Sequence, residues 1–225
     1  MTTLLRIDAS ARKTRSLTRA LGDRFIACWL AVEPAANVVF RDVGTAPPPI
    51  VTEDWIAAVF CDADKRTAEQ SALLRTSDAL IDELARADIV VMATPMYNYG
   101  MPAALKAWVD QVVRIGKTFT FDLARGDRPL EPIMDGKTLV MLTSSGEFGF
   151  GAGAPNAGSN HLTPHIETVS KYLGVETVRH IGIEYQEFGD DRFAASKAAA
   201  EAAVPDLVAA LASRKRLRRP ETSLD

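Results

Sequence analysis

A loop of aromatic, amide and glycine residues follows a short apolar run near the middle of the chain. The run, Ile89 to Ala93, leads through Thr94 into the loop Pro95-Met96-Tyr97-Asn98-Tyr99-Gly100. It predicts a strand buried on both faces, as in parallel sheets, which stops by Thr94 because Pro95 cannot donate to a ladder. Open α/β sheets bind ligands at the carboxyl ends of their strands. Flat rings and backbone amides there suit a planar heterocycle, although the tyrosines could also simply shield the core.

A second loop, residues 8–18, carries hydroxyl groups and positive charge between the first predicted strand and the first predicted helix. Its hydroxyl side chains are Ser10, Thr14, Ser16 and Thr18, and its cations are Arg12, Lys13 and Arg15. Ser16 is a candidate N-cap, and the N–H groups and positive dipole end of the helix favour a phosphate there. The loop lacks both the Gly-Lys-Ser/Thr of a P-loop and the Gly-x-Gly-x-x-Gly of a dinucleotide fold. From this loop alone, a phosphate cradle and a capped helix beside a solvated basic loop are equally open.

A third loop, residues 144–153, is rich in glycine and begins Ser144-Ser145-Gly146-Glu147. Glycines permit unusual dihedral angles, so we expect close ligand contacts or a lid, with a plain surface loop as the alternative for residues 149–158. Upstream, Phe119 and Phe121 alternate along the chain and could wall a pocket or pack at a subunit interface. His161 and His165 are four residues apart, but no acidic or thiol partner is near them in sequence. No metal site is therefore predicted.

Short apolar runs alternate with helical patterns along the whole chain, which predicts parallel βαβ units. The predicted strands are 4–8, 37–41, 89–93, 138–143 and 176–183. The predicted helices are 16–32, 52–62, 67–86, 103–114, 164–173 and 191–212. Five strands fit an α/β, doubly wound parallel sheet in the flavodoxin-like order 2-1-3-4-5, with helices on both faces. In that order the loops after Asp8, Thr94 and Thr143 open into one crevice.

Length and composition place the chain among single-domain globular proteins. It has 225 residues, of which 47% are hydrophobic and 24% charged, with a formal net charge of -3. The weak negative charge argues against nucleic-acid or membrane-surface binding, and no apolar run reaches the roughly 20 residues of a membrane span. Two cysteines without metal spacing predict a reduced, cytoplasmic protein. We expect one domain over residues 1–213 and a disordered basic tail over 214–225.

Together, the three loops resemble those of bacterial FMN-dependent NADH:quinone oxidoreductases, also called azoreductases. The residues that carry the resemblance are Ser10, Ser16 and Thr18 in the first loop, Pro95 to Tyr99 in the second and Ser144 to Glu147 in the third. The resemblance extends over residues 4–211 and includes the Phe119-Thr120-Phe121 segment. It implies a flavodoxin-like fold with FMN as cofactor. It also implies NADH or NADPH as the electron donor and quinones or azo compounds as the acceptors.

The resemblance further implies a role for each matching residue. Ser10, Ser16, Leu17 and Thr18 would hold the FMN phosphate. The ring system would lie against Pro95, Met96, Tyr97, Asn98 and Tyr99, and against Ser144, Ser145, Gly146 and Glu147. Members of this family are homodimers with active sites at the subunit interface, so Phe119 or Phe121 would cover the substrate pocket with help from the partner. Turnover would be ping-pong: NAD(P)H delivers a hydride and leaves, and the acceptor then takes two electrons at the same place. No side chain is singled out as a general acid.

The third loop departs from the family pattern. It often reads Ser-Arg-Gly-Gly in the family, whereas here it reads Ser144-Ser145-Gly146-Glu147. A serine cannot replace a guanidinium, and Glu147 places negative charge near the path of the nicotinamide. These departures bear on substrate choice and not on the cofactor. Two other functions stay open: an FMN-binding electron carrier without small-molecule turnover, and a flavin-free binding module on the same fold.

Overall fold

A parallel β-sheet forms the centre of the protein. The computed structural model describes residues 1–218. Its strands are β1 (Thr3–Asp8), β2 (Asn37–Asp42), β3 (Ile89–Pro95), β4 (Phe119–Phe121), β5 (Leu130–Pro132), β6 (Lys137–Ser144) and β7 (Val175–Ile183). Five of them make one parallel sheet in the order β2-β1-β3-β6-β7, which confirms the order 2-1-3-4-5 predicted for the five expected strands. The other two, β4 and β5, form a separate antiparallel pair.

Helices cover both faces of the sheet. They are α1 (Leu17–Val32), α2 (Glu53–Phe60), α3 (Ala68–Arg86), α4 (Ala103–Val112), α5 (Thr163–Ser170) and α6 (Asp191–Arg218). On one face, α1 and α6 pack against strand residues such as Val91 and Val140. On the other face, α3, α4 and α5 pack against Val90 and Met141. Every residue of β3 is buried, as predicted for a strand covered on both sides. Within residues 1–218, no helix combines the length and apolar character that a membrane span needs.

Side-chain caps determine where the first three helices begin. The hydroxyls of Ser16 and Thr52 accept from N–H groups in the first helical turn, and Thr67 pairs reciprocally with Gln70 in a capping box. These contacts satisfy N–H groups that have no carbonyl partner inside the helix. Each helix therefore begins one residue after its cap, and Ser16 is confirmed as the N-cap of α1.

Strand β3 runs one residue beyond its expected end. Pro95 pairs in register with Ser144, and the N–H of Met96 donates to the carbonyl of Ser144 at 2.8 Å. Successive residues of a strand direct their N–H groups to opposite sides, so position 95 faces β1. The pairing of β1 with β3 ends at Asp8, opposite residue 93. The prediction that the proline stops the strand by Thr94 was therefore wrong, because the proline lies where the ladder needs no donor.

Four helix ends also differ from expectation. Helix α2 ends at Phe60 and helix α4 at Val112, each two residues before its predicted end. Helix α5 ends at Ser170 and gives way to a 3-10 turn, after which Gly174 adopts a left-handed φ of 78°. Helix α6 continues to Arg218 instead of ending at 212, because alanine, lysine and arginine are good helix formers. Part of the predicted tail, residues 214–218, is thus helical, and residues 219–225 lie outside the described residues.

Candidate functional site

Three loops meet over one cavity at the carboxyl edge of the sheet. The loops follow β1, β3 and β6, and the cavity has a volume of about 880 Å³. Of the residues predicted to bind a cofactor, those that line it are Ser10, Ser16, Leu17, Pro95, Met96, Tyr97, Asn98, Ser144, Ser145 and Gly146. The basic residues of the first loop, Arg12, Lys13 and Arg15, line it as well. Its size lies in the range of about 300–1,000 Å³ that is typical of small-molecule pockets.

The loop after β3 is a tight turn with a strained backbone. Tyr97 and Gly100 exchange backbone hydrogen bonds of 3.1 and 3.0 Å around two central residues. Those residues, Asn98 and Tyr99, have left-handed φ angles of 48° and 64°. This is the pattern of a type I′ turn, and a tyrosine in the left-handed region costs about 1–2 kcal/mol. Such a cost persists only where surrounding contacts hold the residue, as ligand-binding loops often do.

The two tyrosines of this turn tie the neighbouring loops together. The hydroxyl of Tyr97 accepts from the N–H of Ala11, at 3.3 Å, in the loop after β1. The hydroxyl of Tyr99 donates to the carboxylate of Glu147, at 2.7 Å, in the loop after β6. The carbonyl of Tyr99 also accepts from the N–H of His161 at 2.9 Å. The turn therefore positions both neighbouring loops, a role that the spacing of the tyrosines did not reveal.

Arg19, in the first turn of α1, holds the loop after β1 in shape. Its guanidinium donates to the carbonyl of Ser10 at 2.7 Å and to that of Arg12 at 2.9 Å. It also donates to both carboxylate oxygens of Asp42, at 2.7 and 2.8 Å. Sequence reasoning missed this pair. The predicted strand order was the signal that could have found it, since it places the end of β2 beside this loop.

The same arginine alters the titration of the carboxylate that it contacts. Its hydrogen bonds hold the pKa of Asp42 below the ordinary value of 3.8, and the same contacts raise the pKa of Arg19. Burial raises the pKa of Asp8, against the opposing effect of Arg6 and Arg19. At neutral pH the Arg19–Asp42 pair is charged on both sides. A bidentate, charge-assisted contact therefore joins the loop, α1 and β2.

One end of the cavity has the features of an anion site. The first two residues of α1, Leu17 and Thr18, have N–H groups with no acceptor among the described residues. Arg12, Lys13 and Arg15 are exposed beside them. Unpaired N–H groups, the positive end of a helix dipole and nearby cations together favour a phosphate. The structure thus brings together the groups on which the predicted phosphate cradle depends, and phosphate binding there stays a prediction.

A fourth loop, between β7 and α6, also borders the cavity. Gln186 and Glu187 line this wall together with Phe193. The N–H of Gln186 donates to the carbonyl of Ser145 at 3.2 Å, and the N–H of Glu187 donates to that of Gly146 at 3.1 Å. Sequence reasoning missed these residues. The signal was available, because the loop after the fifth predicted strand opens at the same edge of the sheet.

Some predicted cofactor residues lie beside the cavity without lining it. Thr18 is buried, and its hydroxyl lies 3.3 Å from that of Ser16. Tyr99 and Glu147 bind each other next to the cavity instead of forming its wall. Their contribution within one chain is to hold the loops that do form the wall.

The two candidate pocket phenylalanines lie on the hairpin of β4 and β5. Phe119 packs on Tyr172 with ring centroids 5.4 Å apart, and Phe121 is 49% exposed. Neither residue reaches the cavity within the described part of one chain. Their proposed place over the pocket of a partner subunit stays a prediction.

A second cavity of about 490 Å³ adjoins the first and shares Met96, Ser144 and Ser145 with it. Its lining includes His180, whose side chain is exposed in the single chain and whose Nε2 lies 2.7 Å from Oγ1 of Thr143. Desolvation of the ring on the cavity side lowers the pKa of His180 below its ordinary 6.5, which favours the neutral ring at neutral pH. Among residues 1–218, no three His, Cys, Asp or Glu side chains form a group that could hold a metal ion.

The chain is similar to characterised relatives over most of its length. A family model described as the flavodoxin-like fold matches residues 2–207. FMN-dependent NADH:quinone oxidoreductase 2 of Idiomarina loihiensis is 54% identical over 208 residues, which cover 89% of this chain and 87% of the relative. The protein of the same name from Colwellia psychrerythraea is 53% identical over 215 residues, covering 92% of this chain and 98% of the relative.

Solved structures share the fold at much lower sequence identity. An azoreductase from Bacillus anthracis str. Sterne has a TM-score of 0.82 at 21% identity, covering 92% of this chain and 99% of that one. An FMN-dependent NADH-azoreductase from Bacillus anthracis str. Ames Ancestor, solved in complex with FMN, has a TM-score of 0.78 at 15% identity, covering 92% and 100%. These two likenesses show the fold alone. From the matching family model and from relatives that share more than half of its residues, this chain belongs to the FMN-dependent NADH:quinone oxidoreductases of the flavodoxin-like fold.

Proposed function

We propose that this protein is an FMN-dependent oxidoreductase that uses NADH or NADPH to reduce quinones, azo compounds or both. The observation that carries the proposal is the single cavity onto which the loops after β1, β3 and β6 converge, with its cationic end at the start of α1. The relatives support the same activity by name, since both are FMN-dependent NADH:quinone oxidoreductases. One cavity serving donor and acceptor in turn fits a ping-pong reaction.

The start of α1 would hold the phosphate of FMN. Leu17 and Thr18 offer free N–H groups there. The hydroxyls of Ser10 and Ser16 each accept from a backbone N–H, which leaves their own protons available to donate to a phosphate oxygen. The cations of the loop would neutralise the charge of the phosphate. Arg19 would act behind this site by keeping the loop in shape.

The loops after β3 and β6 would hold the ring system. Residues 95–99 supply apolar and aromatic surface, and residues 144–147 supply backbone amides and a close approach at Gly146. N–H groups near Asn98 and Gly146 would donate to the ring and stabilise the negative charge that it gains on reduction. Bound FMN supplies the hydride acceptance and the two-electron transfer, chemistry that the cofactor and not the side chains performs.

The chain itself would orient the reactants and keep the loops rigid. The hydrogen bonds of Tyr97 and Tyr99 join the three loops, so the ring and its reaction partners would meet at a constant geometry. Holding reactants in an aligned position removes entropy from the barrier before the reaction starts. This positioning is the part of catalysis that can be assigned to residues of this protein.

A homodimer in the cytoplasm is part of the proposal. The hairpin of β4 and β5 and the residues beside it expose apolar side chains, namely Phe121, Leu123, Leu130 and Ile133. A contiguous apolar surface of this kind is typical of protein interfaces, and a second copy of the chain would cover it. Sedimentation velocity at micromolar concentration tests this point, and a monomer under those conditions contradicts it.

An absorption spectrum of the purified protein tests the activity itself. We expect flavin peaks that bleach when NADH or NADPH is added without oxygen and return when a benzoquinone follows. Flavin that neither nicotinamide bleaches would favour an electron carrier without small-molecule turnover. A colourless protein that takes up no added FMN would contradict the proposal.

A further inference from the structure

Two carboxylates lie at the cavity or directly beside it, on the loops after β6 and β7. Glu187 lines the cavity and its carboxylate lies on Gly146, where a Cβ would be 2.6 Å from Oε1 of Glu187. Glu147 is the next residue along that loop and accepts from Tyr99. Strand β3 lies between β1 and β6, so these carboxylates and the cations of the first loop belong to loops that follow different, non-adjacent strands. We name Glu147 and Glu187 the acidic rim.

The carboxylates of the acidic rim have no ion-pair partner in the part of the chain that the structure describes. Within residues 1–218, neither Glu147 nor Glu187 forms an ion pair, and Arg192, on the same stretch of chain as Glu187, is paired with Asp190. The pKa of Tyr99 is raised, first by its hydrogen bond to Glu147 and further by the charges of Glu147 and Glu187. Both carboxylates therefore act on the same small region beside the loops that would hold the ring.

We propose that the acidic rim makes this enzyme discriminate against anionic electron acceptors in favour of neutral and cationic ones. The inference rests on the proposed function. An acceptor that reaches the ring between residues 95–99 and 144–147 comes within range of both carboxylates, so a sulfonate on the acceptor is repelled. The cations of the first loop would not offset this repulsion, because in the proposed function they neutralise the FMN phosphate. The rim also opposes the negative charge gained by the ring, and so lowers the midpoint potential of bound FMN.

The expected effect is modest for each charge. Exposed charge pairs contribute little free energy, so removing one carboxylate should change the rate constant for an anionic acceptor about two- to five-fold, and removing both about ten-fold. Salt should reduce the discrimination, since the screening distance falls from about 10 Å at 0.1 M to about 3 Å at 1 M ionic strength.

The experiment isolates the second half-reaction. Holoprotein reduced with dithionite is mixed without oxygen with 1,4-naphthoquinone or with its 2-sulfonate, and the return of flavin absorbance gives each rate constant. For each protein, the rate constant for the sulfonate is divided by the rate constant for the neutral quinone. This ratio is compared among wild type, Glu147→Gln, Glu187→Gln and the double variant. Glutamine keeps an acceptor for the Tyr99 hydroxyl, so Glu147→Gln removes charge without removing that contact.

Two further variants separate rim charge from other effects. Tyr99→Phe removes the hydrogen bond but keeps both charges, so the ratio should stay at the wild-type value even if both rates change. Asp135→Asn removes one exposed charge just before Lys137, where β6 begins at the opposite edge of the sheet, and should also leave the ratio unchanged. The proposal is supported if the ratio rises in the glutamine variants and in neither control. It also requires that the wild-type ratio rise towards that of the glutamine variants at high salt.

An unchanged ratio in the double variant, or an equal rise of the ratio in Asp135→Asn, overturns the proposal while the oxidoreductase activity stands.

The midpoint potential of bound FMN, measured by equilibrium dye titration, gives a readout that needs no turnover. The potential should become more positive in the double variant. An unchanged potential contradicts the proposed effect of the acidic rim. Reduced protein that returns electrons to neither quinone contradicts the proposed function, and a protein that binds no FMN contradicts both.

Discussion

Replacing Arg19 by methionine should loosen the loop after β1 while leaving α1 in place. Methionine is a good helix former and keeps an aliphatic stem. It removes the donors to the carbonyls of Ser10 and Arg12 and to the carboxylate of Asp42. Because these contacts join the loop to α1 and β2, we expect both a less stable protein and weaker FMN binding.

The magnitude follows from the hydrogen bonds that are lost. Two go to backbone carbonyls and two to the carboxylate of Asp42, whose side chain is 39% exposed. A hydrogen bond to a carbonyl contributes about 1 kcal/mol and solvent screens the exposed carboxylate, so the free energy of unfolding should fall by about 2–4 kcal/mol. With the loop formed in a smaller fraction of molecules, the Kd of FMN should rise by about ten-fold.

The loss of stability should depend on pH. Arg19 holds the pKa of Asp42 below 3.8, so the stabilisation is complete above that value and disappears as the pH falls through the lower pKa of the folded state. The difference in free energy of unfolding between wild type and Arg19→Met should therefore narrow below about pH 4. Burial raises the pKa of Asp8 in both proteins, and loss of the Arg19 charge, 3.5 Å away, should raise it further in the variant. The attraction between Arg19 and Asp8 is also lost as Asp8 takes up a proton, so this part of the difference narrows in the same direction.

Urea unfolding gives the stabilities, and FMN titration of the flavin-free protein, followed by quenching of flavin fluorescence, gives the Kd values. Arg24→Met is the matched control. Arg24 lies on the same helix and donates to the carbonyl of Glu201 at 2.7 Å, on α6 and outside the cavity lining. A folded Arg19→Met protein with the wild-type Kd would refute the role given to Arg19. An equal rise in Kd for Arg24→Met would show that any weakening of α1 has the same effect.

Three other substitutions test separate parts of the structure. His180→Gln should flatten the pH dependence of stability between about pH 7.5 and 5.5. Desolvation lowers the pKa of His180, so the unfolded state takes up the proton first and wild type loses stability as the pH falls below about 6.5. Because the side chain is exposed in the single chain, solvent screening should keep this loss below about 1 kcal/mol. Urea melts at both pH values check this, and an unchanged slope in the variant contradicts it. Gly174→Ala should cost more than about 1 kcal/mol of stability with no change in FMN affinity, because φ is 78° and the new Cβ would lie 2.7 Å from that of Met134. Ser16→Ala should cost about 1 kcal/mol by loss of the cap and, unlike Gly174→Ala, should weaken FMN binding in the same titration.

The fold was predictable because its signals are local. The apolar run of β3 requires cover on both faces, and alternation of such runs with helical patterns leaves few arrangements other than a parallel sheet with helices on each side. The candidate cap Ser16 and the helical spacing from Thr52 and Thr67 indicated helix starts to within one residue. The error at Pro95 has a tertiary origin, since only the point at which β1 ends shows that no donor is needed there.

Much of the candidate site followed from the same reasoning. Once the strand order is known, the loops after β1, β3 and β6 must open at one edge, and their residue types indicate which end suits a phosphate and which a ring. The loop after β7 obeys the same rule and was overlooked because its residues carry no motif. Position in the fold identified these loops more reliably than the chemistry of any single side chain.

By itself, the sequence determined the six helices, the five strands of the main sheet and their order, and three of the loops that meet at the carboxyl edge, because burial periodicity and helix capping depend on residues close together along the chain. Only the tertiary structure decided three contacts of the site. Arg19 donates hydrogen bonds to Asp42, and Tyr99 donates one to Glu147. Third, the side chain of Glu187 packs on Gly146. The first two contacts join residues 23 and 48 positions apart. Such contacts depend on strand register and on the direction of each side chain after packing, neither of which leaves a pattern in the local sequence.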